Sequence, residues 1–165
     1  MAQAKSPINV TKDDFYRERS RFLDGFADVE QAIAKLAERM VIDPKAASLG
    51  KRLEALRKLQ PSPTLSKASA KTIVTLSTRL KELNALRVDI VHAHMSFAEI
   101  EGKATACFRN SQSGDCDFPP TRLLAYDQLI AINEETETSA REAARLGPNP
   151  PASPPPPSPG GATDP

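Results

Sequence analysis

Apolar residues recur at three- and four-residue intervals along most of the chain, the spacing that gathers them on one side of an α-helix. Phe15, Phe22, Phe26, Val29, Ile33, Leu36 and Met40 form the first such line, with charged residues on the other faces. Thr11 stands at the N-cap position, and Asp13 and Asp14 follow where negative charge favours the helix dipole. These features predict a first helix over 11–40, ended near Pro44. Leu49, Leu53 and Leu56 predict a shorter second helix over 46–59, closed by Pro61-Ser62-Pro63 because a residue before proline avoids the helical region. Ile73, Leu76, Leu80, Leu83 and Ile90 predict a third over 66–92. Pro119-Pro120-Thr121 reads as the opening of a last helix that runs to Leu146 and stops at Gly147-Pro148. Leu123, Tyr126, Ile130 and Asn133 lie on one side of it, and beyond Ile132 it turns polar, so its end is expected to project past the core.

The period changes to two after His92. Two alternating runs flank Glu101-Gly102, the pattern of a β-hairpin. A turn at those two residues puts Met95, Phe97, Ala104, Ala106 and Phe108 on one face, which then packs on the helices. Residues 111–118 read as an irregular loop. Residues 148–165 are rich in proline, with serine and glycine and no large apolar side chain, so they are expected to form a disordered tail, partly polyproline II. The fold expected from the pattern is all-α: an antiparallel bundle of about four helices over 1–147, with a short hairpin after the third.

Composition fits that picture. Apolar residues are 39% of the 165 and charged residues 26%, ordinary for one globular domain. Aromatics are 5% with no Trp, so the core is mostly aliphatic. A net charge of +1 provides no global field toward nucleic acid or membrane. No apolar run is long enough to span a bilayer, and the first ten residues lack the apolar centre of a signal peptide. Two cysteines, Cys107 and Cys116, are too few for a disulfide scaffold and are expected to be free thiols in a reducing cytoplasm.

One position departs from the apolar line of the third helix. Arg87 falls on its inward side, and a buried guanidinium needs a partner or a task. His92 follows five residues later, ~140° around the helix, and His94 two residues beyond that. An imidazole can take a proton from an RNA 2′-hydroxyl, while a guanidinium holds the phosphate with paired hydrogen bonds. In the alternative, Arg87 pairs with an acidic residue of another helix, Glu30 or Glu134, and the histidines are ordinary helix-end residues. Between Lys45 and Arg87 lie Lys51, Arg52, Arg57, Lys58, Lys67, Lys71, Arg79 and Lys81, against only Glu54 and Glu82. That basic middle suits RNA phosphates and equally suits a solvated face.

The segment Leu86-Arg87-Val88-Asp89-Ile90-Val91-His92-Ala93-His94 resembles the Arg-x4-6-His motif of HEPN domains, small helical bundles that include toxin and defence ribonucleases. The resemblance implies Arg87 as the phosphate-binding residue and His92 as the acid/base, with His94 at an allowed spacing as a second candidate. It also implies a homodimer whose two motifs form one composite site, RNA as substrate, and an antitoxin-like protein partner. The family often carries Asn or Asp directly after the arginine; here that residue is Val88, and Asp89 comes next.

His92, His94, Cys107 and Cys116 are together of zinc-ligand type, but the close cysteine pair of a structural zinc module is missing, and no metal or other cofactor is assigned. The chain has no glycine-rich phosphate loop and no serine or cysteine nucleophile motif. Two functions of different class follow: a metal-independent ribonuclease using Arg87 and His92, or a non-catalytic helical interaction protein. The first needs Arg87 and His92 reachable in one cleft; the second needs Arg87 closed in an ion pair.

Overall fold

A computed structural model describes residues 10–42, 48–110 and 121–147; the expected loop at 111–118 and the tail at 148–165 lie outside the described residues. The order of elements is α1 (Lys12–Arg39), α2 (Leu49–Arg57), α3 (Lys67–His92), β1 (Ala93–Ile100), β2 (Lys103–Asn110), β3 (Thr121–Ala125) and α4 (Tyr126–Arg145). Among the described residues, no helix is long and apolar enough to cross a membrane.

Each helix start is set by its cap. Thr11 accepts from the Asp14 amide while the Asp14 carboxylate accepts from the Thr11 amide, a reciprocal capping box. Those bonds from Thr11 hold the Asp14 carboxyl below its ordinary value. Ser48 and Ser66 cap α2 and α3 by accepting from the Lys51 and Ser69 amides. Ala125 has no side chain to cap α4, and Gln128 instead accepts from the Ala125 amide.

The end of α1 closes in a Schellman arrangement. The Ile42 amide reaches the Ala37 carbonyl and the Val41 amide the Glu38 carbonyl, which requires Val41 to adopt φ +54°. A β-branched residue is strained there, and its side chain, 90% exposed, gains nothing from packing. Val41→Gly is expected to raise the unfolding free energy by about 1 kcal/mol. A urea titration reads this as a higher midpoint at unchanged slope; a lower midpoint would show that the valine is not strained.

The long helices share one core. Phe22, Phe26, Ile33, Leu36, Ile73, Leu76, Leu80 and Ile90 are all essentially inaccessible. Contacts between α1 and α4 climb both helices together. Phe15 stacks edge-on against Tyr126, Asn133 binds Glu18, Arg21 binds Glu137, and Arg39 reaches the carbonyls of Ala143 and Ala144. These two helices therefore run parallel, while α3 runs antiparallel to α1, with Arg19 donating to the Ile90 carbonyl and Glu30 meeting Arg87. The reversal arises because the sheet returns the chain to the end of the bundle where α1 begins.

The polar second half of α4 does not project. Thr136, Ser139 and Ala143 are buried, and these small residues let the helices approach closely. A side chain at Gly25 of α1 would come 3.5 Å from Thr136.

The all-α expectation is corrected by a three-stranded antiparallel sheet, ordered β1-β2-β3. The hairpin register is the one that the alternation implies: Met95 faces Phe108, Phe97 faces Ala106, and Ile100 faces Lys103 across the turn. Glu101 and Gly102 have φ +52° and +74°, the positive values that a two-residue type I′ turn demands. The expected helix start at 119–125 is instead β3, which pairs with β2 from Thr105↔Ala125 to Arg109↔Thr121. Residues 119 and 120 themselves lie outside the described residues.

Candidate functional site

Arg87 sits two-thirds covered on the flank of α3. Its guanidinium lies 3.3 Å from the Glu30 carboxylate of α1 and 5.6 Å from the centre of the Phe26 ring. Both arms of the ion pair stay partly open, with side-chain exposures of 34% for Arg87 and 41% for Glu30. Of the two partners that the sequence allowed, Glu30 is the one the fold brings in. The guanidinium borders a shallow groove of about 520 Å³ that Ser48, Arg52, Asn84 and Val88 also line.

His92 does not line that groove. It is the last residue of α3 and is exposed. A five-residue step along a straight helix carries it about 140° away from Arg87, and α3 continues helical to His92, so no fraying brings the two together. His94 is the second residue of β1, also exposed, and faces Arg109 directly across the hairpin. A single chain therefore brings Arg87 to Glu30 and His94 to Arg109, and the groove that Arg87 borders is not lined by His92.

Asp89, the acid that follows Val88, is held by Arg122 of β3 at 2.8 Å, with its side chain only 18% exposed. It ties α3 to the sheet. Val88 is 43% exposed. Part of the basic middle is neutralised: Lys58 by Glu54, and Arg79 by Glu142 with Glu135 nearby. Of that middle, Arg52 stands beside Arg87 in the groove.

The sheet places His94 and Cys107 on one face, as the hairpin register implies. Among the described residues no three metal-donor side chains lie together; Cys116 lies outside them.

The densest polar cluster lies elsewhere, between α1 and α4. Asn133, 1% exposed, donates from Nδ2 to the Glu18 carboxylate at 2.7 Å and to the Glu18 carbonyl at 3.0 Å. Its Oδ1 has no hydrogen-bond partner among the described residues. Arg21 bridges the Glu18 carboxylate at 3.5 Å to Glu137 at 2.7 Å, and its hydrogen bond keeps the Glu137 carboxyl below the ordinary value. Burial, then the nearby Glu18 and Asp14 charges, push the Tyr126 hydroxyl up. Asn133 on the inward side of α4 was the visible signal for this cluster; its partner needed the fold.

No protein-family model matches the sequence, and neither a curated protein nor a solved structure is significantly similar to it. The class that the fold and its surface define is a helical domain with a small antiparallel sheet at one end of the bundle.

Proposed function

We propose that this chain is a non-catalytic helical interaction protein. The engagement of Arg87 carries the reading: its guanidinium is occupied by Glu30 and the Phe26 ring, and His92 is outside its groove. Cleavage through a 2′-hydroxyl needs a base within hydrogen-bond reach of that hydroxyl while a cation holds the adjoining phosphate. Within one chain His92 does not line the groove that Arg87 borders, which supports the non-catalytic reading.

A second reading, the metal-independent ribonuclease, is favoured by a different observation. Arg87 keeps about a third of its side chain open to a groove shared with Arg52, and His92 and His94 are exposed. In that reading a second copy completes the site, Arg87 holds the phosphate, and His92 or His94 moves the proton; an antitoxin-like protein would then be a further partner.

RNA cleavage in excess EDTA separates the two, with wild type beside Arg87→Ala, His92→Ala and His94→Ala. The expected result is no cleavage by any of them. Arg87→Ala is expected to cost no more than about 1 kcal/mol in stability, because the ion pair is half-exposed. Cleavage by wild type that leaves 2′,3′-cyclic phosphate ends, and that is lost in Arg87→Ala together with one histidine variant, would replace the interaction reading with the ribonuclease.

A further inference from the structure

We infer that β1 is the docking edge for a second copy of this chain, which lays its own β1 antiparallel to the first and joins the two sheets into one of six strands. The inference rests on the interaction reading and names its partner.

The strand order leaves β1 at the edge of the sheet, with no strand on its outer side among the described residues. It is eight residues long and pairs with β2 at every position from Ala93 to Ile100 without a bulge. Natural sheets guard such an edge with charged side chains, proline, a bulge or short length. The sequence Ala-His-Met-Ser-Phe-Ala-Glu-Ile has no lysine, proline or bulge, and its one acidic guard is Glu99, next to the last residue of the strand. The other edge, β3, is only five residues long.

The hairpin turn decides which backbone groups face outward. A two-residue turn makes the flanking pair, Ile100 and Lys103, a hydrogen-bonded one, and the pattern then alternates. The amides and carbonyls of Ala93, Met95, Phe97 and Glu99 therefore point away from β2, toward the open edge. A two-fold axis normal to the sheet keeps the core face continuous between the copies. It pairs odd-numbered residues with odd-numbered ones and passes, near the middle of β1, at Phe97 or Ser96. With the axis at Phe97, that residue meets the partner's Phe97, and Glu99 meets the partner's Met95. With the axis at Ser96, Phe97 meets the partner's Met95. Neither register sets like charges opposite each other, and both put apolar pairs on the core face.

The flank of the strand fits the same occupant. Stable protein pairs bury roughly 1,200–2,000 Å² in total, more than one strand edge supplies. Beside β1, Phe15, Phe97 and Ala104 line a groove of about 640 Å³ whose rims carry Lys12 and Glu99. Tyr16, 48% exposed, stacks against Phe97. Lys12 lies 5.8 Å above the Phe97 ring, and neither it nor Glu99 has an ion pair among the described residues. The two-fold axis at Phe97 brings each Lys12 toward the partner's Glu99, about two residues along the strand.

Sedimentation equilibrium and amide hydrogen exchange on the full chain test this. The expected result is a dimer whose Met95, Phe97 and Glu99 amides are protected and lose protection on dilution. Glu99→Pro removes an outward donor without touching the β1–β2 ladder, so it should weaken the dimer at least tenfold with helical circular dichroism unchanged. Glu99→Lys, which sets like charges at the seam, should weaken it several-fold, most at low salt. A wild-type monomer at high concentration, or a dimer insensitive to both variants, would overturn the inference. So would a monomer with protected β1 amides, the signature of this chain's own residues 1–9 on that edge. None of these results bears on whether RNA is cut, so the two proposals fail separately.

Discussion

Phe22→Ala will lower the unfolding free energy by about 3–5 kcal/mol. The ring is fully enclosed on the inner face of α1, with the Phe26 ring 5.6 Å away, and the core around it is aliphatic. Alanine would remove most of the buried side chain and leave a void that parallel helices gripped at both ends close poorly. At the α1 start, Phe15 is locked against Tyr126 and Phe97; at the α1 end, Arg39 holds the last carbonyls of α4. With so little room to collapse, the cost should fall in the upper half of that range. Urea unfolding followed by circular dichroism reads it directly. A loss below about 1.5 kcal/mol would mean that α4 slides inward and that the grip at its ends is weaker than the hydrogen bonds imply.

Asn133→Ala will cost about 2–3 kcal/mol, although the side chain is smaller and ordinarily polar. Its amide is the donor that satisfies the Glu18 carboxylate in a nearly closed site, and Arg21 at 3.5 Å is the remaining cation. Removing the donor leaves the acceptor covered and underpaired, which costs more than the bond contributes on average. Asn133→Asp is the sharper variant. It sets a second carboxylate against Glu18, so at neutral pH it should be less stable than the alanine variant. Two carboxylates sharing one site hold a proton more tightly than either alone, so the gap to wild type should narrow as pH falls from neutral toward the ordinary carboxylate value of about 4. A gap that widens at low pH would show that Arg21 moves in and neutralises both acids.

The elements that follow one period cleanly were legible in the sequence. The three-four line from Phe15 to Leu36 gives α1, and alternation about Glu101-Gly102 gives the hairpin with its register. What failed was the stretch Thr121-Arg-Leu-Leu-Ala125. Arginine, leucine and alanine are good helix formers, and a double proline ahead of them resembles a helix start. The pairing opportunity beside β2 outweighs that local preference, since an unpaired β2 would leave backbone groups next to the buried Ala106 and Phe108 without partners. The parallel course of α4 was lost with β3, because it follows from where the sheet returns the chain. At the site, Glu30 was one of two partners readable for Arg87, and the angular separation of His92 was readable too. Arg109 opposite His94 follows from the same register, but it lies on the face of the hairpin away from Met95, Phe97 and Phe108, where no apolar alternation marks it.

The parallel pairing of α1 and α4 has a consequence for synthesis. Glu18 and Asn133 are 115 residues apart in sequence, and ribosomes add about 5–20 residues per second. The first helix therefore leaves the ribosome roughly 6–23 s before its main neighbour. Over that interval the stripe from Phe15 to Leu36 must stay soluble with only α2, α3 and the sheet to shelter it, a demand that falls on chaperones or on early docking of α2 and α3. Closure of the core waits for the final helix, so a ribosome that stalls after β3 releases a chain with that stripe still uncovered.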